Sequence, residues 1–156
     1  MDELRGIHYE INAGAMAGQW TARSPHDFDQ TIARLKEAIA AQDLWLIAEI
    51  DPRMLLARAG LAIQPARQLL FFHPRYMERL LRADARALQE VPVKIVVMAD
   101  ASGHVVMRGP EMRAAFDRYA DARSLGEELS MLCGKIVAAL VSPDSPALPE
   151  IPGFIR

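Results

Sequence analysis

At 156 residues, 51% apolar and 24% charged, the chain is long enough to bury a core and is expected to fold as one domain rather than to stay disordered. A net charge of -2 excludes a general nucleic-acid binder, which would be strongly basic, and no run approaches the roughly 18 apolar residues of a membrane span. Cys133 is the single cysteine, so neither an intrachain disulfide nor a paired-cysteine zinc site is expected, and the acidic start MDELRGIHYE lacks the basic region of an export signal; both point to the cytoplasm.

Residues 6–12 alternate Ile7, Tyr9 and Ile11 with His8, Glu10 and Asn12, the period of a half-buried strand. Gly14 and Gly18 end that pattern, and residues 19–23, carrying Trp20, form a second strand candidate. Ser24-Pro25-His26-Asp27 reads as a helix start with Ser24 as cap and Pro25 in the first turn. Phe28, Ile32, Leu35 and Ile39 then follow at helical spacing as far as Ala41. Residues 43–50 are apolar on both faces, which predicts a central strand. Asp51-Pro52 repeats the capping device, and Gly60 closes a short helix that carries Met54, Leu55 and Leu56. Residues 67–72 read as a buried strand, and His73-Pro74 turns the chain into a helix with Met77, Leu80 and Leu81 inward.

The stretch VPVKIVVMADASGHVVMRGP, residues 91–110, is a predicted β-hairpin. Its two branched, apolar runs are joined by Asp100-Ala101-Ser102-Gly103, where the glycine is free to take positive φ. Pro110 opens a helix with Met112, Phe116 and Tyr119 on one side. The last helix starts at Ser124 with a capping box to Glu127, and Leu125, Leu129, Leu132, Ile136 and Leu140 form its buried stripe. From Ser142 the prolines at 143, 146, 149 and 152 recur every third residue, the period of a polyproline II tail. Phe154 and Ile155 are expected to dock that tail. The organisation is thus one domain over 1–141 with a proline-rich segment over 142–156.

The strings DFDQTIARLKEAIAAQDLWLIAEID, LLFFHP, ALQEVPVKIVVMADASGHVV and the following GP resemble the bacterial family catalogued as domain of unknown function 302. The resemblance covers most of the chain. Val91-Pro92-Val93-Lys94 fits the family's LPxK-type strand. The chain departs from the family at His73-Pro74, where Asn-Pro is usual, and at Arg108-Gly109-Pro110, which shares only the proline of an Asn-Asp-Pro. The resemblance implies an α+β domain and homodimers, and it implies no reaction. The expected fold is a two-layer, mostly antiparallel sheet around the hairpin, covered by helices in the order β-β-α-β-α-β-α-β-β-α-α.

Candidate ligand residues follow from position and charge. His73 stands at a strand-to-helix junction, where amide groups and the helix dipole favour anions. Arg75 and Arg79, continued by Arg82 and Arg86, share one helix face that suits either an anionic ligand or plain solvation against Glu78, Asp84 and Glu90. Trp45 is a candidate wall for an apolar pocket, or a core residue. His8, His73, His104 and Cys133 are weak metal or haem ligands, since none has ligand spacing with another. No catalytic triad, phosphate loop, dinucleotide fingerprint or HExxH motif is present, so no catalytic residue and no cofactor is assigned. The reading is a non-catalytic dimeric domain that binds a small anionic or apolar ligand or a protein partner. A metal- or haem-binding protein and an enzyme of unknown reaction are the alternatives.

Overall fold

Alternation along the two central strands decides the architecture, because one set of apolar side chains must go under the helices and the other must not. A computed structural model describes residues 3–140. The proline-rich segment from Ser142, with the docking expected of Phe154 and Ile155, lies outside the described residues. In chain order the elements are β1 (Arg5–Gly6), β2 (Gln19–Ser24), α1 (Phe28–Ala41), β3 (Trp45–Ile50), α2 (Pro52–Arg58), β4 (Leu61–Ala62), β5 (Ala66–Phe72), α3 (Pro74–Ala83), β6 (Val93–Ala99), β7 (Val105–Pro110), α4 (Met112–Phe116) and α5 (Arg123–Ala138). Tight 3-10 turns fill Ala85–Glu90 and Ala120–Ala122. β2, β7, β6, β5 and β3 make one antiparallel sheet in that spatial order, while β1 and β4 form a two-residue parallel pair. The α+β class and the central hairpin are as the sequence predicts. No helix among the described residues is long and apolar enough to cross a membrane.

The hairpin closes on Asp100. Its carboxylate accepts the backbone N–H of Ser102 and of His104, both at 2.9 Å, and Gly103 takes φ +86°. Burial opposes ionisation of this carboxyl, but the hydrogen bonds from His104 and Ser102 outweigh it and hold the pKa below the usual range. Beyond the turn, Val93, Ile95, Val97 and Ala99 face the core, as do Val105 and Met107 across the ladder and Leu69 and Phe71 on β5. Ile32, Leu35 and Ile39 of α1 join this layer, with Met112 and Phe116 of α4 and Leu125, Leu129, Cys133 and Ile136 of α5.

Several local expectations are corrected. The strand over 43–50 is the edge strand β3 rather than a central one, so its apolar residues on both sides remain open: Trp45 is 57% exposed and Ile47 55%. Residues 6–12 are mostly irregular, because the backbone pairs only at Arg5–Gly6. α1 is capped by Asp27, which accepts from Gln30 N at 2.8 Å, while Ser24 ends β2 and bonds Thr31. Pro25 accordingly precedes the helix, and Pro110 closes β7 rather than opening α4. α5 begins at Arg123 without a side-chain cap, so Ser124 lies inside it and forms no capping box. On α3, Tyr76 and Leu80 are buried, whereas Leu81 faces out. Met54 and Leu55 of α2 are exposed too, and that helix buries no residue, although Asp51 caps it at 3.1 Å as expected.

The departure at Gly109 has a packing reason. Its cross-strand partner is Trp20, whose buried indole lies over it so closely that an added Cβ would sit 2.5 Å from Cζ2. Gly109→Ala is expected to destabilise the protein by about 1–3 kcal/mol, the usual range for overpacking, with the loss read in urea unfolding. A neutral result would show that the indole has room to move aside.

Candidate functional site

His73 ends β5 in an extended conformation, φ -149° and ψ 143°, the backbone that a following proline favours. Its Nδ1 accepts the Arg75 N–H at 3.1 Å and so caps α3. An accepting Nδ1 carries no proton, which places the ring proton of the neutral imidazole on Nε2. The ring also packs against the Trp45 indole, with centroids 4.9 Å apart in a T-shaped arrangement. β3 and β5 bring these two residues together because Trp45 pairs with Phe72, the residue before His73.

Arg75 joins the same patch, but its guanidinium points back to the end of α1. It donates to Asp43 O at 2.5 Å and Gln42 O at 3.2 Å, lies 3.2 Å from Asp43 Oδ2, and stacks 4.5 Å from the Tyr76 ring. Asp43 takes φ +55° there, closing α1 in the left-handed region, and Arg75 satisfies the carbonyls that the helix end leaves over. Arg79, one turn on, pairs with Glu128 of α5 at 2.6 Å. Arg82 pairs with Glu78 at 3.0 Å and Arg86 with Asp84 at 2.7 Å. Each arginine of the stripe therefore has a carboxylate partner. Trp45, His73 and Arg75 come together, while Arg79 is engaged by another helix.

The remaining sulfur and imidazole groups are dispersed. Cys133 is buried in the α5 stripe, and burial pushes its thiol up to about 12. His104 lies in the hairpin turn, 3.1 Å from Asp100, and His8 lines a small cavity on the N-terminal segment. His26, unremarked in the sequence, places Nε2 2.9 Å from Leu140 O and ties the start of α1 to the end of α5. Among the described residues no three His, Cys, Asp or Glu side chains are placed to hold a metal ion.

A second charged cluster was not legible in the sequence. Lys36 of α1 meets Glu49 at 2.5 Å, and Arg67 bonds Glu49 while lying 3.7 Å from Asp51. The Lys36 hydrogen bond, with Arg67 adding to it against burial, holds the Glu49 carboxyl below its ordinary pKa. The cluster bolts α1 to the β3–β5 edge. Its members lie in three separate stretches of chain, so no local motif announces it.

The face of the sheet opposite the buried core set is a further surface. By strand alternation one cross-strand row reads Ile50, Gln68, Val96, Arg108, Thr21, and the next reads Ala66, Met98, Val106, Arg23. Leu70, Val96, Met98 and Ile50 are half-buried there, Lys94 lies at the margin, and Trp45 stands at the β3 rim.

Comparison with known proteins supplies a family. The family model described as "Domain of unknown function DUF302" matches residues 20–141. A crystal structure of an uncharacterized conserved DUF302 protein from Bacillus stearothermophilus superposes with a TM-score of 0.69 at 18% identity, over 80% of this chain and 97% of the other. That likeness shows the shared fold. No curated protein matches the sequence.

Two outcomes are expected at these residues. His73→Asn should change stability by no more than about 1 kcal/mol, since asparagine replaces the cap while the Trp45 contact is lost. Denaturation followed by the two tryptophans measures it; a loss above about 2 kcal/mol would mean that the ring is a core residue. Cys133 should resist alkylation in the native protein at pH 8 and react fully in denaturant, as mass spectrometry would show, because a thiol at about 12 is almost never a thiolate at that pH.

Proposed function

The chain belongs to the DUF302 family, and we propose that it is a non-catalytic binding domain whose partner is a second copy of itself, seated on the open face of the sheet. The observation that carries this reading is the chemistry of that face. An antiparallel sheet with one wet side normally alternates apolar and polar residues, with the polar set outward. Here the outward set on the central strands includes the half-buried Leu70, Val96 and Met98, and among the described residues the buried side chains of the helices pack with the opposite, core set. A two-fold partner supplies a self-complementary cover at the roughly 10 Å spacing of packed sheets.

The rim supports the same reading. Trp45, held edge-on by His73, is an exposed and orientationally fixed indole, and tryptophan is a frequent interface anchor. Lys94 and Arg23 are exposed on the face, where they set register and discourage promiscuous stacking. Neither of two surface depressions is lined by Trp45, His73 or Arg75, the residues that come together at the rim. One holds about 120 Å³, and another of about 360 Å³ is walled by Glu111, Arg113 and Asp117. Small-molecule sites are typically enclosed, mostly apolar and about 300–1,000 Å³. The burial of Cys133 and the dispersal of the histidines among the described residues favour binding over thiol or metal chemistry.

Sedimentation at micromolar concentration tests the reading. The wild type is expected to run as a dimer, and Val96→Lys, which puts a charge on the apolar face, as a monomer that still unfolds cooperatively, at a melting temperature lowered by the loss of association. A monomeric wild type, or a variant that stays dimeric, would overturn the proposal.

A further inference from the structure

We propose that residues 5–18 form a detachable strap, latched by Arg108, whose release uncovers the Met98 and Val106 end of the open sheet face. The strap and latch lie within one chain; only their consequence for association rests on the reading above.

The latch is a single side chain. Arg108 stands on the open face by alternation, two residues along β7 from Val106. Its guanidinium donates to Asn12 O, to Gly14 O at 3.5 Å and to Gln19 Oε1 at 3.3 Å, so the carbonyls it holds must lie on that side of the sheet. Arginine suits this role because its fork presents several donors at fixed angles and keeps its charge at any working pH. The departure from the family's Asn-Asp-Pro pattern thereby gains a use distinct from that of Gly109.

Among the described residues the strap's other attachments are slight. Arg5 N donates to Gly60 O at 3.0 Å and Ile7 N to Ala62 O at 2.9 Å, around a parallel pair only two residues long. At the other end Gln19 N reaches Met16 O at 3.0 Å, and Gly18 turns at φ +80° into β2. Between these points only Ile11 and Ala13 are half-buried, and the rest of the segment is exposed. The cavity of about 120 Å³ lies between Ile7, Tyr9 and Ile11 and the facing Gln64, Asp100 and Ala101. A segment with few buried apolar contacts and a void beneath it opens locally at a free energy well below that of the core. The face it shields is apolar: Val106 is only 7% exposed, whereas Val96 on the same side is half-buried.

Hydrogen exchange on the full chain, wild type against Arg108→Ala, tests the latch. The amides of Arg5 and Ile7, which Arg108 does not touch, should exchange about tenfold or more faster in the variant, while β5 and β6 keep their protection. Unchanged exchange, or equal acceleration in strap and sheet, would overturn the latch. Binding of an apolar-surface dye should rise in Arg108→Ala, and an unchanged signal would overturn the uncovering of the face. A wild type that sediments as a monomer would refute the association proposed above and leave both readouts valid.

Discussion

The strict two-residue period of β6 and β7 is the constraint on which the rest of the molecule depends. Burying Val93, Ile95, Val97, Val105 and Met107 under the helices commits Val96, Met98 and Val106 to the opposite side. No local adjustment avoids this, since a one-residue slip would exchange the two sets, turning Lys94 and Arg108 into the core and Val93, Ile95 and Val97 out of it. A strand rich in apolar residues on both faces therefore creates a surface as surely as it creates a core.

Charge is spent mainly on joining elements. Arg75 closes the end of α1, Arg79 links α3 to α5, and the Lys36–Glu49–Arg67 cluster ties α1 to the sheet edge. Most of these pairs are partly solvated, so each contributes modestly, and their larger effect is to fix geometry. The His73 ring that caps α3 through Nδ1 also packs against the Trp45 indole. A helix cap is thus in contact with the apolar rim of the open face.

The two residues of the Arg108-Gly109 pair serve opposite sides of one strand. Gly109 faces the core and yields its volume to Trp20, and Arg108 faces outward and gathers the N-terminal carbonyls. Alternation separates the two tasks, so neither residue compromises the other.

The sequence by itself determined the elements whose signals are local. Helix α1 follows from the spacing of Ile32, Leu35 and Ile39, α2 from Asp51-Pro52, the hairpin from its branched runs and Gly103, and α3 from His73-Pro74. Each depends on neighbours within a turn or a few residues, and side-chain period and backbone preference record such neighbours directly. Tertiary structure alone decided what depends on spatial order. Two-sided apolarity in β3 has the same appearance in a central strand and in an edge strand awaiting cover, so only the sheet order places Trp45 and Ile47 at the rim. Arg75 and Arg79 of α3 are alike in sequence, and their partners Asp43 and Glu128 lie on other helices or their ends, out of reach of any periodicity. Arg108 likewise acquires its role from Asn12 and Gly14, which chain folding, rather than chain proximity, carries to it.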